Sequence, residues 1–184
     1  TLAKALKTNR AQGLLSVFNG SGVYQPAQYD EDADGIVSYY RDRGYIGVRV
    51  GQPELRPLED NADGTVRWVQ MRIPVTEGPQ YRVGSFTFVG NDRVNADVLQ
   101  RLFDLKAGDV YREERIRKGL EKAREVYGAG GYYQFTAYPD LAPKENERAV
   151  DVSMRDQEGR QYYVNRITIL GNMQTHDEVI RREL

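Results

Sequence analysis

The sequence of 184 residues contains no cysteine, which excludes a disulfide staple, a thiolate nucleophile and a cysteine-ligated zinc. It has a single histidine, His176, and so no second imidazole with which to build a histidine metal site. No apolar run approaches the roughly 18 residues that a membrane-spanning helix requires, and none has the form of a signal peptide. Neither sign of charge dominates. The 26 Lys and Arg are interleaved with 27 Asp and Glu, for a net charge of -1, so the basic stripe of a nucleic-acid binder is missing. With 40% hydrophobic residues, what remains suits one or two small folded domains.

What the sequence does contain is a repeat. EGPQYRVGSFTFVGN (Glu77–Asn91) returns as EGRQYYVNRITILGN (Glu158–Asn172), a period of 81 residues. The match extends without a gap to Phe103 and Leu184 and lies in the apolar frame: Val83 with Val164, Phe86 with Ile167, Phe88 with Ile169, Gly90 with Gly171, Val98 with Val179. A second similarity precedes it. YYRDRGYIGVRV (Tyr39–Val50) resembles VYGAGGYYQFTA (Val126–Ala137), and each is followed by Pro, an acidic residue and Leu. Together they define one unit: a strand ending in Gly-Asn, a short helix, a longer helix ending in Gly-Tyr, and two further strands.

Local chemistry supports each element. Phe86 and Phe88 alternate with Thr87 as a half-buried strand, and Val83 falls out of that phase, which predicts a bulge near Gly84. Asn95 is placed to cap a helix over ADVLQRLF. Ile116, Leu120, Ala123 and Tyr127 form the apolar stripe of a second helix that stops at Gly128, Gly130 and Gly131. In the first unit, Ile46, Val48 and Val50 alternate as a second strand running to Gln52. Val69, Met71 and Ile73, repeated as Val150, Val152 and Met154, mark the third strand.

The order strand, two helices, two strands, with Gly90-Asn91 and Gly171-Asn172 after the first strand and Gly44-Tyr45 and Gly131-Tyr132 before the second, resembles the POTRA domain, the polypeptide-transport-associated repeat. SYYRDRGY (Ser38–Tyr45), VTEGPQYRVG (Val75–Gly84) and EVIRREL (Glu178–Leu184) are similar in particular to the BamA type of outer-membrane assembly factor, and the resemblance covers nearly the whole chain. It implies an α+β fold of tandem repeats, each β-α-α-β-β with two helices on a three-stranded mixed sheet. Residues 1–76 are expected to be a unit lacking its first strand, 77–157 a complete unit, and 158–184 the opening strand and helix of another. GLLSVFNGSG (Gly13–Gly22) is similar to the longer connection between the helices of the third such domain.

A three-stranded sheet of this order leaves its second strand at an edge, because that strand pairs only with its hairpin partner. Edges offer unpaired N–H and C=O groups to an extended segment of another chain. In the first unit the expected edge is Ile46, Gly47, Val48, Arg49, Val50, Gly51 and Gln52. About five added backbone bonds at a net ~1 kcal/mol each, less the cost of ordering the peptide, correspond to weak binding near the millimolar range. The resemblance implies a matching role at the periplasmic face of the Gram-negative outer membrane: receiving nascent outer-membrane β-barrel proteins, docking accessory lipoproteins and meeting periplasmic chaperones, with no cofactor and no nucleic acid. Membrane association is expected only through a C-terminal barrel that is not within these residues. Glu183 matches the acidic position that contacts a partner lipoprotein. The alternatives are the same module in a translocation-assembly or two-partner secretion transporter, or a periplasmic glycan-binding module, which would need an exposed aromatic platform.

Sharper chemistries fail on their details. Asp30, Asp32, Asp34 and Gly35 match the first half of a calcium EF-hand loop, but the bidentate Glu is replaced by Arg41, so acidic residues opening a helix are the better reading. Glu59–Gly64 fails in the same way at Gln70 and reads as a hairpin turn. The glycines of Tyr127–Tyr133 follow a helix rather than open one, so they form no phosphate loop. His176 is read as a solvated residue beside the Thr175 cap, Trp68 as packing at the hairpin or joint, and Tyr81, Tyr162 and Tyr163 as packing residues with a polar end. No constellation for catalysis is evident, and the chain is not expected to be an enzyme.

Overall fold

The structure, a computed structural model, describes Leu6, Asn9 and residues 23–60 and 67–168. The second unit is built from β5 (Arg82–Val89), α2 (Ala96–Phe103), α3 (Glu113–Ala129), β6 (Thr136–Lys144) and β7 (Ala149–Gln157). The first contributes α1 (Tyr29–Arg41), β1 (Arg49–Val50), β2 (Glu54–Asp60), β3 (Arg67–Arg72) and β4 (Val75–Thr76).

Strand order in the second unit is β5-β7-β6, with β7 parallel to β5 and antiparallel to β6. This is the expected mixed sheet with the second strand at an edge. Along β7, Val150, Val152 and Met154 are fully buried while alternate residues are not, because both helices cover a single face. The helix-side core joins them to Leu99, Phe103, Leu105, Ile116, Ala123 and Tyr127. Asn95 Oδ1 accepts from the N–H of Asp97 at 2.8 Å, the expected cap of α2. Close packing of α2 on α3 depends on Gly119, where a Cβ would overlap the ring of Phe103.

The expected bulge is present. Val83 pairs with Val150 and Phe86 with Val152, so β5 has one extra residue between them. Asp151 secures it: its Oδ1 accepts from the N–H of Ser85 at 2.8 Å, and its Oδ2 faces Lys144 Nζ at 2.7 Å. Those two partners hold the Asp151 carboxyl below its ordinary pKa, with the Lys144 bond as the larger cause.

The first unit shows the matching hairpin. β2 and β3 pair from Glu54 with Arg72 to Asp60 with Arg67, and β1 pairs with β4. The turn expected within Glu59–Gly64 lies mostly outside the described residues. Between the two ladders the second strand carries one extra residue. Gly51 donates its N–H to Pro74 O at 2.9 Å. Pro74 has no N–H to return, and the carbonyl of Gly51 is met instead by the hydroxyl of Tyr29 at 2.6 Å.

Two expectations change, and a third is borne out with an addition. The strand expected over Ile46–Gln52 begins only at Arg49. Residues 45–48 form a turn closed by Val48 N–H to Tyr45 O at 3.3 Å, because the chain must reverse after α1 before it can join the sheet. The acidic run Asp30–Gly35 opens α1 as expected, with Asp30, Glu31 and Asp32 in its first turn; Asp32 is fully buried there, its Oδ2 accepting from the backbone N–H and Nδ2 of Asn9 at 2.7 and 2.9 Å. Finally, residues 158–168 form no strand: among the described residues none runs beside them to supply a ladder.

Candidate functional site

The Gly-Tyr pairs do more than stop helices. Gly44 and Gly131 have φ of 88° and 84°, and the residues after them, Tyr45 and Tyr132, donate back to Tyr40 O and Tyr127 O at 3.1 and 2.9 Å. This is a Schellman end, in which only glycine takes the left-handed position without strain. The carbonyl of each glycine is then free to bond forward. Gly44 O accepts from Tyr81 N–H at 2.8 Å, and Gly131 O accepts from Tyr162 N–H at 2.9 Å. A Cβ at either glycine would stand 2.7 Å from the carbonyl oxygen of that tyrosine.

Side chains repeat the joint in the same places. Tyr40 donates its hydroxyl to Glu77 Oε1 at 2.7 Å, and Tyr127 donates to Glu158 Oε1 at 2.8 Å. Gln80 Nε2 donates to Arg43 O at 2.8 Å, and Gln161 Nε2 to Gly130 O at 2.9 Å. The hydrogen bond to Glu77, with burial second, pushes the Tyr40 hydroxyl up to about 12. Burial first and Glu158 second raise that of Tyr127. The first joint has further contacts: Asp42 Oδ1 accepts from the N–H of Glu114 at 2.7 Å, and Arg41 pairs with Glu113 at 3.2 Å. Ile46, although it belongs to the first unit, packs against the core of the second.

The expected edge residues divide between two roles. Ile46, Gly47 and Val48 belong to the turn and joint, and Val48 is buried in the first-unit core. Arg49, Val50 and Gly51 pair with β4 and Pro74, and Gln52 is the extra residue before β2. Gly90 has φ of 88° and lies against the backbone of Asp156, where a Cβ would overlap Asp156 O. Asn91 Nδ2 donates to Val94 O at 3.0 Å, closing the loop into α2. Gly171, Asn172, His176 and Glu183 lie outside the described residues. Tyr81 is buried, whereas Trp68 on β3 is 41% exposed and Tyr163 81%.

Two polar groups beside the joints escaped the sequence reading. Asp42 is one, since its partner lies in another unit. The other is Asp156, whose Oδ2 is buried without a hydrogen bond among the described residues. Burial, and then the charge of Glu158, push its carboxyl up to about 6. A signal existed: Asp156 continues the inward phase of Val150, Val152 and Met154, at the place Val75 holds 81 residues earlier. No group of three or more potential metal ligands occurs among the described residues, and no described helix is long and apolar enough to cross a membrane.

Comparison with known proteins agrees with this geometry. The family model for POTRA, described as a surface antigen variable number repeat, matches twice, at residues 3–78 and 81–159. The outer membrane protein assembly factor BamA of Neisseria meningitidis is 28% identical over 94% of the chain, and a putative outer membrane protein assembly factor of Treponema pallidum is 30% identical over 100% of it. The chain spans 21% of the length of each. Among solved structures, the POTRA3-5 region of Haemophilus influenzae BamA superposes with a TM-score of 0.70 at 21% identity, covering 100% of this chain and 69% of that one. With two family matches across most of its length and a fold shared with those domains, the chain belongs to the POTRA family, in the form these repeats take in BamA-type proteins.

Proposed function

We propose that this chain is a periplasmic scaffold module of the machinery that assembles β-barrel proteins into the outer membrane, divided into units at residues 1–76, 77–157 and 158–184. It acts by holding extended segments of nascent barrels at strand edges and by offering helix surfaces to accessory lipoproteins, and it performs no catalysis. Similarity to BamA-type assembly factors across the chain is the observation that carries this reading. Strand geometry supports it, because a small sheet with two edges can extend itself by one strand without rearranging its core.

Of the expected Ile46–Gln52 edge, the part that remains for capture in the first unit is Arg49–Gln52, which begins with β1, and Glu183 is the lipoprotein contact. Weak main-chain binding fits a handler that must release what it holds. The experiment is a photocrosslinking amino acid at Arg49 in the full-length protein in cells. Crosslinks to outer-membrane barrel chains under assembly are expected. Crosslinks confined to soluble periplasmic proteins, with none to barrel chains, would overturn the reading.

A further inference from the structure

The two edges of the second-unit sheet are not equivalent. The N–H of Arg82 donates to Arg148 O at 2.9 Å, so alternation along β7 directs the backbones of Arg148, Val150, Val152 and Met154 at β5, and those of Ala149, Asp151, Ser153 and Arg155 at β6. The β6 partners of that second set are Lys144, Ala142, Asp140 and Tyr138. Ala137, Pro139, Leu141 and Pro143 are left facing outward, and two of these four lack an N–H. The first unit repeats the device. Pro53 and Pro57 take the corresponding places, Pro57 opposite Val69 as Pro143 is opposite Val150. Prolines on the outer side of an edge cost the sheet nothing and deny an incoming strand its ladder.

The β5 edge carries no such guard. Its first half is already covered by the chain itself: Val83 N–H donates to Asp109 O at 2.8 Å, Gly108 N–H to Val83 O at 2.7 Å and Tyr111 N–H to Tyr81 O at 3.1 Å, with Arg82 and Val110 as an antiparallel bridge. Coverage stops at the bulge. Beyond it, Thr87 lies opposite Ser153 and turns its backbone toward β7, so Phe86 and Phe88 turn theirs outward. Among the described residues, none bonds to those outward groups. From Gly84 to Asn91 the run GSFTFVGN has no proline and no charge. The rings of Phe86 and Phe88 are half-buried on Phe103, at 5.2 and 5.5 Å between centroids, and present a partly exposed aromatic surface beside the open backbone.

We propose that the Phe86–Val89 edge of β5 is a docking site for an extended polypeptide segment with alternating apolar and polar residues. The segment adds as an antiparallel strand in line with Gly108–Tyr111, its apolar side chains on the Phe86 and Phe88 side. Continuity with that built-in strand argues for the occupant: the fold already completes half of this edge by main-chain pairing and leaves the other half in register for a second segment. This site rests on the scaffold reading above but lies on a different unit and strand from the Arg49–Gln52 edge.

The test uses the whole chain and a capped peptide of about ten residues, alternating Phe or Val with Thr and bearing a Lys at each end. In a backbone-amide NMR titration, shifts and slowed hydrogen exchange at Phe86 and Phe88 are expected. Changes confined to Arg49–Gln52 would overturn this inference and leave the scaffold reading standing, and no change at either edge would overturn both. Phe88→Pro, which removes an outward N–H, is expected to weaken binding about tenfold or more, while Phe88→Leu retains it. A second measurement does not depend on that variant folding. Because the chain has no cysteine, Thr87→Cys and Ala142→Cys, both at exposed positions, can each be challenged with a peptide bearing one central cysteine under redox equilibrium. Mixed disulfide is expected at Thr87→Cys and about tenfold less at the proline-guarded Ala142→Cys. Equal trapping at the two edges would overturn the proposal.

Discussion

Asp42, in the turn that ends α1, accepts a hydrogen bond at 2.7 Å from the N–H of Glu114 in the first turn of α3. Asp42 thus supplies to a helix of the second unit the cap that its own N-terminal residue, Arg112, does not provide. One side chain therefore serves the stability of one unit and the angle between two. Asp42→Ala is expected to destabilise the second unit by about 1 kcal/mol and to speed amide exchange in the first turn of α3, whereas Asp42→Asn retains most of the bond. Urea unfolding with site-resolved hydrogen exchange checks both. Equal loss in the two variants would mean that the charge of Asp42, not its hydrogen bond to Glu114, is what stabilises the helix start.

The Tyr40 and Glu77 pair makes the first joint sensitive to alkali. The Tyr40 hydroxyl is held up to about 12 against an ordinary value of 10.0, so between those values the folded chain keeps a proton that the unfolded chain has lost. Its contribution to stability is fully present below pH 10 and disappears as the pH rises through about 12. Glu77→Gln keeps an acceptor but removes the carboxylate, and should return the Tyr40 titration toward 10, read by carbon NMR of labelled tyrosine. An unmoved titration would assign the shift to the retained hydrogen bond and burial, with no part played by the carboxylate charge.

Asp156 works at lower pH, with the same sign. Its carboxyl titrates at about 6 in the fold against an ordinary 3.8, because burial and Glu158 oppose its charge. The protonated form is therefore the better-tolerated one. That benefit is complete below pH 3.8 and is lost as the pH rises through about 6. Asp156→Asn should raise the urea midpoint at pH 7 and leave it unchanged near pH 4; a variant no more stable at pH 7 would contradict the burial argument.

Prolines on β6 predict a solubility phenotype. Replacing Pro139 and Pro143 together by Thr restores two outward N–H groups on a nine-residue edge strand without removing a ladder bond. The double variant is expected to fold and to self-associate with rising concentration in sedimentation experiments. If it remains monomeric at the concentrations where the parent does, proline is not what protects that edge.

Much of the fold was legible because its causes are local. The Asn95 cap, the glycine ends of α1 and α3, the alternation of Val150, Val152 and Met154, and the bulge after Val83 each follow from side chains within a few residues of one another. The repeat was legible from its own 81-residue self-similarity, the mixed sheet from the family resemblance, and the edge position of the second strand from element order. Tertiary structure decided what depends on distant partners. The carbonyls of Gly44 and Gly131 are ordinary helix ends until Tyr81 and Tyr162 arrive to use them. Nothing near Tyr40 in the sequence announces Glu77, and nothing near Asp42 announces Glu114. The turn at residues 45–48 displaced the start of an alternating strand because the chain has to clear the helix before it can pair. Alternation says which face of a strand is apolar but not which side of its backbone is paired, so the difference between the guarded β6 edge and the open Phe86–Val89 edge emerged only once the sheet was assembled.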